Sequence, residues 1–194
     1  MNVSEVTRAD DAIEYVLSGG SQVNEIRGLA ELNDLIILTS GGLYKANGKD
    51  DERVSPDTFK AKRQNKNGAS HLQPFVIGES LVYNERNKKT YREIDYDAVK
   101  LGYSGRDLTL LAEHLFEDAH VVDHAWQEIP DKVLWCVMSD GTLLGMTYMK
   151  EHEIFAWHRH NTDGEFESVC CVTEGNYDAV YFVVKREIDG QTKR

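Results

Sequence analysis

A fourfold recurrence of short apolar runs constrains the fold of this chain more than any other feature of its sequence. Each run begins with a polar pair or near-pair and passes into three apolar residues. The runs occupy residues 33–37, 79–83, 131–135 and 178–182. A period of roughly 40–50 residues that holds about four strands is typical of the blades of a β-propeller.

Turn signals follow each run at a similar distance and support the repeat. Residues 40–42 (SGG), 86–89 (RNKK) and 139–141 (SDG) each separate a run from a second apolar or β-branched segment. The fourth run reaches Asp189 and Gly190. Asp-Gly is a strong hairpin signal because both residues tolerate a positive φ. Each of the first three runs is therefore predicted to pair with the segment that follows it, and a partner strand for the fourth run would have to begin at Asp189 and Gly190, near the end of the sequence.

The chain is predicted to be all-β, a single β-propeller-like region over residues 1–194 with repeated antiparallel blades, as in a partial propeller. The strands of the third unit are predicted at residues 121–126, 133–138, 143–148 and 154–158, and the next blade begins within 166–172. A β-sandwich with long strands is the structural alternative. The predicted repeat units cover residues 26–70, 71–100, 119–165 and 166–194.

One segment departs from the β pattern. Ser104 and Asp107 resemble the start of a helix, and Leu108, Leu111 and Leu115 follow at helical spacing, with Ala112 beside them. We therefore expect a short helix inserted over residues 104–116, with these apolar residues on its buried face.

The charge balance is acidic, with 33 acidic against 22 basic residues and a net charge of −11. Specific nucleic-acid binding is not expected, because such proteins grip phosphates with Lys and Arg. A local basic cluster, which lies in an Asn/Gln/Gly-rich stretch, is interpreted as a solvated loop. It comprises Lys60, Lys62, Arg63 and Lys66. No apolar run is long enough to span a membrane and no signal peptide is evident, so a soluble protein is expected.

The three cysteines form neither a metal-binding pair nor a disulfide framework. If residues 170–171 lie in a strand, the side chains of Cys170 and Cys171 point to opposite faces. We interpret these two thiols as buried small hydrophobic groups, as in a protein assembled in a reducing cytoplasm.

No set of residues in the sequence matches a catalytic motif or a complete ligand set. His158 and His160 share a face of a predicted strand, near Glu151 and Glu153, but a structural zinc ion takes four ligands and the cysteines lie on another strand. A second histidine four residues beyond His114 is missing, so this segment is no zinc-protease helix. We predict a non-enzymatic protein with no catalytic residues, no cofactor and no metal.

All three tryptophans, Trp126, Trp135 and Trp157, fall within the third unit. Exposed indoles in a propeller stack on sugar rings, which leaves a glycan-binding or adhesion module as the alternative function. Because each indole falls inside a predicted strand, packing between blades is the favoured interpretation.

Several longer strings occur together in a fixed order. They read KAKRQ, NGAS and LQP within residues 60–74, RDLTLLAEHLF at 106–116, SDGTLL at 139–144, FAWHRH at 155–160 and GEFESV at 164–169. In this order they resemble the middle portion of a family of tailed-phage and prophage proteins, the tail nozzle or tail tubular protein B type of short-tailed phages. The resemblance extends from about residue 26 to residue 188.

That resemblance implies a structural component of a phage tail, with propeller-like domains around the channel through which DNA leaves. It implies assembly in the bacterial host cytoplasm, residence in the virion tail, and DNA only as passing cargo. The expected partners are other tail subunits, the remainder of a longer polypeptide and a second copy of this chain. Open sheet edges are predicted at residues 13–17, a leftover outer strand, and at residues 180–184.

Overall fold

Four antiparallel sheets follow one another along the chain, each formed by strands that pair with their neighbours in sequence. The computed structural model describes residues 12–17, 24–48 and 54–194. The all-β prediction with repeated propeller-like blades is thus confirmed. By internal contacts, the described residues up to residue 86 and residues 93–106 form a first unit, and residues 87–92 and 107–194 form a second.

The first unit holds sheets 1 and 2. Sheet 1 has the order β1-β2-β3-β4 and sheet 2 the order β5-β6-β7-β8, although the first residues of β7 belong to the second unit. The strands are β1 (Ile26–Glu31), β2 (Leu35–Thr39), β3 (Gly42–Asn47), β4 (Lys60–Asn65), β5 (Phe75–Ile77), β6 (Ser80–Asn84), β7 (Tyr91–Asp97) and β8 (Gly102–Asp107).

The second unit holds sheets 3 and 4. Sheet 3 has the order β12-β11-β10-β9, and sheet 4 has three strands in the order β13-β14-β15. The strands are β9 (Val121–Gln127), β10 (Val133–Met138), β11 (Leu143–Met149), β12 (Ile154–His160), β13 (Glu165–Glu174), β14 (Tyr177–Ile188) and β15 (Gln191–Lys193). The four strands predicted for the third unit are confirmed to within two residues at each end.

All four repeated runs fall in the second strand of their sheets, namely β2, β6, β10 and β14. Their residue-by-residue alignment is wrong by one position in the third run. The alignment equates Ile36 of β2 with Leu134 of β10. Ile36 packs towards sheet 2, the next sheet along the chain. In sheet 3, however, Trp135 and not Leu134 packs towards the next sheet, sheet 4. Such short runs do not fix the register, and a slip of one residue exchanges the two faces of a strand.

Each unit has its own apolar core between its two sheets. In the first unit, Ile36 and Leu38 of sheet 1 pack with Leu81 and Tyr83 of sheet 2. In the second unit the core comprises Ala125, Trp135, Val137 and Leu143 of sheet 3 with Phe166, Val169, Cys171, Val180 and Phe182 of sheet 4. Alternation along each strand places these residues on one face.

The inserted helix is shorter and tighter than the sequence predicts. Residues 104–107 belong to β8, the outer strand of sheet 2, and a 3₁₀ helix occupies Leu110–Leu115. Leu108 and Ala112 are buried as expected, whereas Leu111 is 95% exposed. The prediction for Leu111 assumed the 3.6-residue period, which does not hold in a 3₁₀ helix with a kink at Ala112.

The helix start also differs from the predicted capping arrangement. The carboxylate of Asp107 accepts hydrogen bonds from the backbone N–H and the hydroxyl of Thr109, at 2.8 and 2.6 Å. Ser104 lies within β8 and its hydroxyl donates to Asp97. The turn that precedes the helix is therefore stabilised by Asp107, because a short carboxylate reaches the backbone two residues ahead.

Two further predictions require correction. Residues 13–17 are described and form no strand, although Leu17 packs beside Ile37 and Tyr44. The basic cluster predicted to be a loop lies largely on β4, the outer strand of sheet 1, where Lys60, Lys62 and Arg63 are exposed. Charged side chains on an outer strand discourage pairing with other chains.

Candidate assembly surface

The edge of β14 carries backbone groups that no described strand satisfies. The N–H of Asp178 points away from β13 and donates to the carbonyl of Ile129 at 2.9 Å, while Arg186 and Ile188 pair with β15. Alternate residues of a strand direct their backbone groups to the same edge. The backbone N–H and C=O groups of Val180, Phe182 and Val184 therefore point to this edge, between Asp178 and Arg186.

Within residues 12–17, 24–48 and 54–194, no strand pairs with Val180, Phe182 and Val184 on the edge of β14 opposite β13. The opening lies between Asp178, which binds the loop of Glu128 and Ile129, and Arg186, which pairs with Lys193 of β15. An extended segment that paired there would donate and accept the backbone hydrogen bonds that this edge lacks among the described residues.

The outer face of sheet 4 is apolar and exposed as well. Side chains of β14 alternate, so that Val180 and Phe182 face sheet 3 while Tyr181 and Val183 face outward, with exposures of 51% and 41%. Tyr177 and Val172 lie on the same outward face and are also exposed. Contiguous apolar residues on a sheet face, next to an open edge, mark a surface that associates with another element.

The two adjacent cysteines lie on opposite faces of sheet 4. Cys171 packs in the core with sheet 3, and Cys170 is exposed on the outward face. The prediction that they point to opposite faces is confirmed, whereas the prediction that both are buried is wrong for Cys170.

Asp178 binds the loop of Glu128 and Ile129 at one end of the opening. Its carboxylate accepts backbone N–H groups of Glu128 and Ile129 at 2.9 and 3.0 Å, and the hydroxyl of Thr173 at 2.8 Å. These hydrogen bonds lower the pKa of Asp178 below its ordinary value, and the two from backbone N–H groups have the largest effect. The carboxylate therefore stays charged and defines where the open edge begins.

The three indoles are each partly buried within strands. The N–H of Trp135 donates to Gln127 at 2.9 Å, the N–H of Trp157 donates to the carbonyl of Leu108 at 2.8 Å, and Trp126 packs edge-on against Tyr148. The favoured packing interpretation of the tryptophans thus agrees with their positions. In the part of the chain that the structure describes, nothing specifically favours the glycan-binding alternative.

A groove of about 520 Å³ lies between the 3₁₀ helix and β12. Its walls include Leu111, His114, Glu153 and Trp157. Among the described residues, no three His, Cys, Asp or Glu side chains gather in a group that could hold a metal ion. His158 and His160 lie together on β12, where Nδ1 of His158 is 2.7 Å from Nε2 of His160.

In the described part of the chain, no helix is long and apolar enough to cross a membrane. A scan against models of known protein families and a search of curated proteins return no match to this chain.

Proposed function

We propose that this chain is a non-enzymatic structural component of a bacteriophage or prophage tail, part of the nozzle or tube through which DNA leaves. The observation that carries the proposal is the exposed apolar outward face of sheet 4, which carries Val172, Tyr177, Tyr181 and Val183. Such a surface fits a protein that works inside a larger assembly, because exposed apolar patches mark sites where a protein associates with other chains. The ordered strings that resemble tail nozzle proteins supply the identity of that assembly.

The acidic charge suits a conduit for DNA. A net charge of −11 repels phosphates, so a wall of this composition lets DNA slide past without holding it. The basic residues of β4 are the local exception, and their place on an outer strand gives them a protective role that requires no nucleic acid.

The proposed partners follow from the shape of the opening. Other tail subunits, the remainder of a longer polypeptide or a second copy of this chain would each supply an extended segment antiparallel to β14, with apolar side chains against Tyr181 and Val183. The site of virion assembly is the host cytoplasm, and the finished protein resides in the tail.

The direct test is the composition of tailed particles released by the source bacterium after prophage induction or infection. We expect peptides of this chain in purified particles, and immunogold label at the tail end distal to the head. Absence of the chain from particles that contain the other tail proteins would overturn the proposal. A filter-binding assay with duplex DNA at physiological salt is expected to show no retention, and micromolar affinity would contradict a non-binding conduit.

The assembly surface has its own test. Tyr181→Lys with Val183→Lys is expected to abolish concentration-dependent association, because two charges would lie on the outward face. Val99→Lys is the matched control, since Val99 is 95% exposed outside any strand. Light scattering at micromolar concentrations measures the mass of each variant. A wild-type chain that remains monomeric and also fails to bind the tail particles would contradict the assignment of this surface.

A further inference from the structure

Two imidazoles converge at the outer strand of sheet 3. Cross-strand pairing sets Trp135, Gly145 and His158 side by side in one row, and sets Leu143 beside His160 in the next. Both histidines therefore lie on the same face, two residues apart. Nδ1 of His158 is 2.7 Å from Nε2 of His160.

The surroundings favour one orientation of the His158 ring. Its Nε2 is 3.4 Å from the hydroxyl of Thr147, so an Nε2–H that donates there leaves the Nδ1 lone pair directed at His160. Gly145 provides the space, since a Cβ at this residue would lie 2.2 Å from Cε1 of His158. A hydrogen bond to the far nitrogen is the usual way in which a protein orients a histidine that binds a metal.

The two facing nitrogens are 2.7 Å apart, the length of a hydrogen bond that one ring donates to the other, so a metal ion bound there takes the place of the shared proton. Imidazole suits divalent ions late in the first transition row, of which Cu²⁺ is bound most tightly. Square-planar and tetragonal sites with nitrogen ligands are typical of Cu²⁺ and Ni²⁺.

We propose that His158 and His160 form a two-histidine chelate for a divalent ion of the Cu²⁺ and Ni²⁺ class, with solvent in the remaining positions. This site differs from the four-ligand zinc site that the sequence argues against, and it revises the expectation that the chain binds no metal. In the bound state, Nδ1 of His158 and Nε2 of His160 each donate a lone pair. The N–H of His160 then lies on its Nδ1.

Titration of the full chain with CuCl₂ at pH 7.5 tests the proposal, with tryptophan fluorescence as the signal. The rings of Trp135 and His160 are 5.1 Å apart between centroids, so a Cu²⁺ ion bound there is expected to quench Trp135. We expect saturation at one equivalent. His160→Ala should weaken binding about tenfold or more, because a chelate becomes a single ligand.

Control variants separate this site from other histidines. His114→Ala and His71→Ala are expected to bind like the wild type, and Trp135→Phe should keep the calorimetric binding signal while it loses most of the quenching. Thr147→Val should weaken binding without changing the one-to-one ratio. Far-UV circular dichroism checks that each variant is folded. Equal Cu²⁺ affinity in the wild type and in the folded His158→Ala/His160→Ala variant would overturn the proposal.

Discussion

The hydroxyl of Tyr91 lies 2.8 Å from Nδ1 of His124, and both side chains are buried within the second unit. The thiol of Cys136 donates to the same hydroxyl oxygen at 3.3 Å. The three groups thus form a short hydrogen-bonded chain from β10 through β7 to β9. Burial raises the pKa of Tyr91 well above its ordinary value, so the phenol remains a neutral donor.

Tyr91→Phe is therefore expected to lower the free energy of unfolding by about 1–3 kcal/mol, because a buried nitrogen and a buried thiol lose their partner. Urea denaturation measures the change. Tyr96→Phe is the control, since Tyr96 is 39% exposed and its ring contacts with Tyr103 and Lys45 would persist. Equal denaturation midpoints for the two variants would show that the Tyr91 hydroxyl contributes nothing to stability.

Thiol reactivity is expected to distinguish the three cysteines. Burial raises the pKa of Cys136 to about 12 and also raises the pKa of Cys171, whereas Cys170 is exposed. Because the thiolate is the reactive form, Ellman's reagent at pH 8 should modify Cys170 first and Cys136 only on unfolding. Cys170→Ser should remove the fast phase. Loss of that phase in Cys136→Ser instead would contradict the burial of Cys136.

The lowered pKa of His158 predicts a loss of stability in acid. The unfolded chain binds a proton more readily than the folded one, so the contribution of His158 is full above its ordinary pKa near 6.5 and is lost as the pH falls through the folded value. His158→Gln should reduce the difference in unfolding free energy between pH 7.5 and pH 5. His152→Gln, at an exposed position, is the control. An unchanged pH dependence in His158→Gln would be the contrary result.

Two glycines at positive φ separate backbone strain from a steric clash. Gly141 and Gly175 have φ of +79° and +64°, but only at Gly141 would a Cβ meet another atom, Cβ of Glu165 at 2.7 Å. Gly175→Ala should cost about 1 kcal/mol from strain alone. Gly141→Ala should cost roughly 1–3 kcal/mol more because of the overlap. Thermal denaturation compares them, and equal costs would show that Glu165 simply moves aside.

Local pattern was sufficient to predict the strands of the third unit and the place of the repeated runs. Alternating β-branched and aromatic residues between turn signals carry that information within a few residues of chain. The same pattern did not fix which face of β10 packs towards sheet 4, because apolar residues occupy both faces of that strand and either register buries a similar set. Only the packing of whole sheets brings Tyr91 to His124, and Ala125 and Trp135 to the side chains of sheet 4.

The sequence by itself determined the class of fold, the repeated blades, the acidic charge and the opposite directions of Cys170 and Cys171, since each depends on composition or on a period of two residues. Only the tertiary structure decided that Cys170 is exposed, that residues 104–107 complete sheet 2, and that Nδ1 of His158 meets Nε2 of His160. It also decided that Val180, Phe182 and Val184 lie at the edge of β14 opposite β13, where no described strand pairs with them. These properties depend on which strands become neighbours, and distant contacts set that arrangement while short stretches of sequence do not encode it.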